Sequence, residues 1–273
     1  MTRVLITGGT GVLGSELLPR FVGAGYTVRV MSRRGSPPDA DPGIEWAQAE
    51  LQTGSGLAEA VSGADVIVHA ASSPFRRTEA VDVAGTARLL EQARGAGVSH
   101  FMYISIVGID RIPLGYYKRK LAAESRVEQS GVPWSTLRAT QFHTLIDMQL
   151  RVLLRFPIVL APTDFRFQPI DPGDVADRLR ECVAKGAAGH LPDLGGPEVN
   201  TLGELAQTWA EIRGLRRRVV RLPLPGKIAA GFRQGLNTTP EGKYGKITWT
   251  DWVRGRYGAG DSEEREHKEV SPP

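Results

Sequence analysis

The sequence predicts an α/β protein built on a doubly wound parallel sheet, and two observations carry that prediction. The first is the stretch Met1-Thr-Arg-Val-Leu-Ile-Thr-Gly-Gly-Thr-Gly-Val-Leu-Gly14. Its apolar run Val4-Leu5-Ile6, the mark of a strand buried on both faces, leads into glycines at 8, 11 and 14. Leu17, Leu18, Phe21 and Val22 follow at helical spacing. The second is the alternation beyond it, in which short apolar strands recur between helical patterns of about a dozen residues.

Strand, glycine turn, helix is the context that gives the glycine spacing its meaning. Gly8 allows a tight turn, Gly11 lets a pyrophosphate approach the backbone, and Gly14 lets the helix lie close to the strand; Thr10 and Val12 complete the loop. The helix N-terminus offers free N–H groups and a partial positive charge to phosphates. Counting from Gly9 also satisfies the spacing, so the glycines alone do not settle the family. They do predict a dinucleotide site.

Thr27–Met31 reads as the second strand and closes on Ser32-Arg33-Arg34. Pro19 within the preceding helix removes one backbone bond. An acid at the end of the second strand would hydrogen-bond a ribose 2′-hydroxyl, whereas arginine accommodates a 2′-phosphate. No acid follows the second strand until Asp39, so Ser32, Arg33 and Arg34 favour NADP(H), with NAD(H) an alternative. After the proline-rich turn Ser36–Gly43 comes a third strand, Ile44–Gln48, then a helix marked by Leu57, Ala60 and Val61. Asp65–Ser72 forms a fourth strand that runs into the small residues Ala70, Ala71 and Ser72, against which an adenosine and ribose can lie. Ala84–Ala96 is helical, with Ala87, Leu89, Leu90 and Ala93 facing inward, and Phe101–Val107 is the fifth strand.

Ser105 stands at the carboxyl end of that strand, where ligands bind in open α/β sheets. Further on, Gly115–Glu124 opens a helix that places Tyr116, Lys120 and Glu124 on one face. A lysine one turn from a tyrosine favours its phenolate and lowers its pKa, which makes the pair a proton-transfer device. Trp134–Arg138 is the sixth strand, and Thr140, Gln141 and His143 follow it as candidate contacts to cofactor or substrate. Leu145–Leu154 is an amphipathic helix expected to lie over the site. Asp171 and Pro172 open the next helix, and Thr201 with Glu204 forms a capping box before another. Arg216–Leu222 reads as a basic strand with a solvated face, and Thr248–Val253 as a docked helix.

At this point the chain resembles the short-chain dehydrogenase/reductase superfamily, in its atypical, NmrA-like and extended branch. Thr7 to Gly14, the Ala70-Ala71 turn, Asp82-Val-Ala-Gly-Thr86, Ser105, and Tyr116 with Lys120 carry the resemblance, which extends through about Gly258. It implies a Rossmann fold whose glycines hold the pyrophosphate and whose lysine binds the nicotinamide ribose. It also implies a tyrosine that exchanges a proton with the substrate oxygen and a serine that polarises it. Phe165–Asp171 resembles the family's substrate-side loop, which makes Gln168 a substrate contact. Two departures stand out. The family's Asp-Leu after the third strand is Glu50-Leu51 here, and a catalytic hydroxyl often found one position after Ser105 is replaced by Ile106.

With 273 residues, 41% of them hydrophobic, the chain can bury a sizeable core. No apolar run is long enough to span a bilayer, and the strand at the very N-terminus leaves no room for a signal peptide. Cys182, the sole cysteine, lies on an apolar helix stripe as a buried thiol, which fits a reducing cytoplasm. The +4 net charge is too mild to argue for nucleic acid. The expectation is one Rossmann domain over residues 1–258, with substrate-side cap elements from about 145, and a disordered tail over 259–273. The expected activity is an NADP(H)-dependent oxidoreductase of a carbonyl-type small molecule, with no metal and no membrane partner, and a homodimer allowed by the resemblance. A non-catalytic NADP(H) sensor and a nucleotide-sugar epimerase or dehydratase are the alternatives.

Overall fold

The protein is described by a computed structural model over residues 1–73 and 78–258. The tail expected to be disordered lies outside the described residues. The chain divides into two compact units, Met1–Ala139 with Pro172–Leu194, and Thr140–Asp171 with the chain from Gly195 onward.

The first unit opens with β1 (Arg3–Thr7), α1 (Val12–Gly23), β2 (Thr27–Ser32), β3 (Glu45–Gln48), α2 (Leu57–Val61) and β4 (Val66–His69). A π-helical turn, Glu79–Val83, runs directly into α3 (Ala84–Gly95), followed by β5 (His100–Ile106), α4 (Gly115–Glu128) and β6 (Trp134–Ala139). The chain passes into the second unit for α5 (His143–Leu153), β7 (Ile158–Ala161) and β8 (Arg166–Phe167), and returns for α6 (Pro172–Lys185) and β9 (Gly189–His190). It ends in the second unit with β10 (Asn200–Thr201), α7 (Leu202–Ile212), β11 (Arg218–Arg221), α8 (Lys227–Gln234) and α9 (Trp249–Tyr257).

The strands of the first unit form one seven-stranded sheet in the order β3-β2-β1-β4-β5-β6-β9. The pairings that build it are all parallel. The strand order reverses at β1, between β2 and β4, and the crevice at that switch point is where such sheets take their ligands. Val4, Leu5 and Ile6 of β1 are fully buried, as a strand covered on both faces demands. One layer of the core joins Leu57, Leu89, Phe101, Tyr103 and Val127. Cys182 is buried and unpaired.

The second unit has its own core, in which Ile146, Leu150, Leu205, Trp209, Trp249 and Val253 pack together. Thr201 and Glu204 form the expected capping box at the start of α7. Several features of the chain carried no strand or helix signal, the two-residue strands β8 and β10 among them. Ile158–Ala161 pairs with β11 as a parallel two-stranded ribbon, Gly189–His190 adds the last strand of the main sheet, and the π-helical turn precedes α3. A two-residue strand has no periodicity to detect, and β7 alternates exposed Ile158 and Leu160 with buried Val159 and Ala161 over only four residues.

Candidate functional site

The glycine turn is built as its spacing requires. Gly8 has φ +71°, and a Cβ there would lie 2.8 Å from the backbone nitrogen of Ala71. A Cβ on Gly14 would overlap the Gly8 carbonyl oxygen and stand 2.5 Å from Gly9 Cα. At Gly11 the nearest obstacle is Gly8 oxygen at 3.2 Å, and the Gly11 amide donates to that same oxygen at 2.9 Å. Gly11 caps α1 without a side-chain hydrogen bond, which leaves the first-turn amides free for an anion.

A cleft of about 990 Å³ opens beside this turn. Gly8, Thr10 and Gly11 line one part of it, Ser32, Arg33 and Arg34 another, and Glu50, Leu51, Ala70, Ala71 and Ser72 a third. Val12 is exposed at the start of α1, and Gly14 is packed under the turn. Residues from four separate stretches thus meet in one place because parallel strands all deliver their carboxyl ends to the same edge of the sheet. Arg33 and Arg34 are exposed and form no ion pair among the described residues. Their turn is held by the Arg34 amide donating to Ser32 Oγ at 3.2 Å and by Gln48 Nε2 donating to the Arg33 carbonyl at 3.2 Å. Glu50 is half-buried, with Thr53 Oγ1 donating to it at 3.4 Å. A bare phosphate cradle, an adenosine-side wall of small residues and two uncommitted guanidinium groups fit a dinucleotide with an extra phosphate.

The floor of the cleft is tied together by residues that sequence reasoning did not single out. The Ala71 amide donates to Thr7 Oγ1 at 3.2 Å, and Thr7 Oγ1 stands 2.6 Å from His69 Nδ1. His69 Nε2 lies 2.9 Å from Thr86 Oγ1. The ring is thus held between two hydroxyls, one at each nitrogen. Burial, assisted by the Lys120 charge, pushes the His69 pKa down to about 3, so the ring is neutral in this network.

Tyr116 reaches the cleft through Ser72, whose Oγ is 2.9 Å from the phenol oxygen. Ser72 also donates to Asp82 Oδ1 at 2.5 Å. Lys120 is buried, donates to the Ile104 carbonyl at 3.0 Å and lies 4.2 Å from the centre of the Tyr103 ring. Burial pulls its pKa down to about 8, against the opposing charges of Asp82 and Glu124. These positions correct one expectation. Tyr116 is pushed up to about 12, first by burial and then by Asp82, while the Ser72 hydrogen bond works the other way. The lysine does not lower it, because its ammonium is turned onto β5. Ser105 is buried, and its Oγ has no hydrogen-bond partner. Glu124, on the same helix face, is engaged by Arg138 at 2.7 and 3.0 Å.

The four candidates after β6 belong to the second unit, and each is committed within it. Thr140 Oγ1 accepts from the Gly196 amide at 3.4 Å, and Gln141 exchanges hydrogen bonds with Asn237. His143 is fully buried, stacked against Trp249 and Trp252, with its pKa pushed down to about 3 by burial. The Gln168 amide is also fully buried. It donates to the Gly196 and Thr239 carbonyls at 2.8 and 3.2 Å and accepts from the Thr239 amide at 2.7 Å. Its hydrogen-bonding capacity is largely spent on backbone. Among the described residues, no group of three or more His, Cys, Asp or Glu side chains could hold a metal, and no helix is long and apolar enough to cross a membrane.

Comparison with known proteins agrees with this geometry. A family model described as NAD(P)H-binding matches residues 8–184. Ceramide reductase of Caulobacter vibrioides is 28% identical over 92% of the chain and 85% of its own length. Photosystem II assembly factor Ycf39 of Trieres chinensis is 25% identical over 81% of the chain and 72% of its own length. Among solved structures, an NADPH-dependent quinone oxidoreductase of Escherichia coli complexed with NADPH superposes with a TM-score of 0.78 at 18% identity. That match covers 93% of this chain and 99% of the other.

Proposed function

Because the chain belongs to the NAD(P)H-binding family, of the NmrA-like, atypical short-chain dehydrogenase/reductase kind, we propose that it is an NADPH-dependent reductase of a carbonyl-bearing small molecule, with Tyr116 as its proton donor. Relatives named as reductases support an oxidoreductase. The observation that carries the finer reading is the Tyr116 hydroxyl, 2.9 Å from a serine that lines the NAD(P)H cleft. A sensor of cofactor occupancy has no need of a phenol there.

The cofactor, when bound, supplies a hydride. The chain's residues divide the remaining work. Gly8, Gly11 and the α1 amides would take the pyrophosphate, and Arg33 and Arg34 the 2′-phosphate. Lys120 would reach the nicotinamide ribose from β5. A phenol held protonated by its surroundings suits giving a proton to the oxygen of a carbonyl under reduction. Ser105 carries a hydroxyl with no other commitment and is the group available to polarise that oxygen.

The test is NADPH oxidation over a panel of aldehydes, ketones and quinones with wild type and Tyr116→Phe. Proton transfer by a positioned group is worth ~10²–10⁴ in rate, so turnover should fall by that order while NADPH still binds. A tyrosine variant that matches wild type on every compound reduced would end this reading.

A further inference from the structure

The Tyr116 hydroxyl is the end of a chain of hydrogen bonds. Ser72 has one hydroxyl hydrogen, and it is given to Asp82 Oδ1 at 2.5 Å. Tyr116 is therefore the donor to Ser72 across their 2.9 Å separation. The other Asp82 oxygen accepts from the Ser73 amide at 2.9 Å. Asp82 is 1% exposed, so its carboxylate is a buried charge whose burial the fold must offset with such bonds. It sits on the π-helical turn Glu79–Val83, an irregularity that helices tend to keep at functional sites. An ion pair between Glu79 and Arg119, 3.5 Å apart, ties that turn to α4, the helix that carries Tyr116.

We propose that Asp82 is a positioning residue: through Ser72 it fixes the rotation of the Tyr116 hydroxyl and keeps that hydroxyl a proton donor at the cleft. The proposal rests on the reductase reading above and extends it to two residues and a direction. A free phenol O–H rotates about its C–O bond, whereas one anchored on Ser72 is already placed when a substrate oxygen arrives beside it.

Charge acts with geometry. The groups that face Tyr116 are Ser72 beyond β4, Asp82 on the π-helical turn, Tyr103 on β5, and Tyr117 on its own helix, with Lys120 one turn along and turned onto β5. A buried carboxylate among them opposes a second negative charge on the phenol. Tyr116 thus rests protonated, with a proton in place to give to a substrate oxygen. In the step, the Tyr116 O–H bond breaks, its proton goes to the substrate oxygen, and water at the cleft restores the proton.

The decisive measurement needs neither cofactor nor substrate. Tyrosine Cζ resonances are followed by NMR through alkaline titration, with Tyr116 assigned by its absence in Tyr116→Phe. Asp82→Asn keeps an acceptor oxygen and removes the charge, so Tyr116 should ionise about tenfold more readily. An unchanged titration overturns the proposal. In turnover, Asp82→Ala, which removes the acceptor that anchors Ser72, should lower kcat by roughly tenfold or more with NADPH affinity held, while Asp82→Asn should retain most of it; Ser72→Ala should also lower kcat, and Ser72→Thr should recover most of it. A silent Asp82→Ala beside an inactive Tyr116→Phe defeats this proposal alone. A silent Tyr116→Phe defeats the reductase reading, and this proposal with it.

Discussion

The Lys120 ammonium lies 4.2 Å over the ring of Tyr103 and donates to the carbonyl of the next residue, Ile104, at 3.0 Å. The strand, not the neighbouring tyrosine, fixes where its charge sits. Burial lowers its pKa from 10.5 to about 8, so the ammonium is present below that pH and is lost as pH rises through it. If Lys120 meets the cofactor ribose as an ammonium, NADPH affinity in wild type should fall by up to about tenfold between pH 8 and 9. Lys120→Met should bind more weakly throughout and show no such dependence. Calorimetric titration at several pH values checks both, and parallel curves for the two proteins would remove the ribose contact.

Arg33 and Arg34 stand free at the rim of the cleft, where an acid would select NAD(H). A charge-assisted arginine–phosphate contact is worth about 1.5–3 kcal/mol, so NADPH should bind at least tenfold more tightly than NADH. Arg33→Ala should erase most of that preference and leave NADH affinity nearly unchanged. Equal affinities in wild type would reassign the cofactor.

Gly14 is the glycine of the turn with the least room. Its added Cβ would meet the backbone of Gly8 and Gly9, which cannot yield as a flexible side chain would. Gly14→Ala should therefore cost about 3 kcal/mol in urea denaturation. It should also weaken NADPH binding, because the displaced backbone is the phosphate cradle. Gly11→Val should instead leave the fold nearly intact and abolish binding, since that position opens toward the ligand.

His69, His100 and His143 are buried with pKa values lowered from 6.5 to about 3, 4 and 3. The unfolded chain binds their protons near pH 6.5 and the folded chain does not. Their contribution is complete above pH 6.5 and is lost as pH falls toward those values. Stability should decline on acidification by up to about 4 kcal/mol per pH unit once the unfolded histidines are charged. Urea midpoints at pH 7.5, 6 and 5 would show it, and a flat series down to pH 5 would contradict it.

The cleft was legible because its signals are local. Glycine spacing after a buried strand, two arginines after the next, and a tyrosine and lysine one helical turn apart are each contained in a few residues. His143 was read as a ligand contact from its place near a strand end, and Gln168 from the resemblance of its loop to the family's substrate-side loop. Their surroundings come from elsewhere in the chain: Gly196 and Thr239 take up the Gln168 amide, and Trp249 and Trp252 stack on His143. No window around either residue contains those partners.

The sequence by itself determined the parallel sheet, the dinucleotide turn and the helix face shared by Tyr116 and Lys120, because buried-strand runs, glycine geometry and helical period are properties of neighbours along the chain. Tertiary structure alone decided the electrostatics of that face. It turned Lys120 onto Tyr103 and Ile104, and it brought Ser72 from the end of β4 and Asp82 from a π-helical turn to the Tyr116 hydroxyl. A pKa depends on burial and on charges a few ångströms away, and those distances exist only once separate strands and helices have been brought to one edge of the sheet.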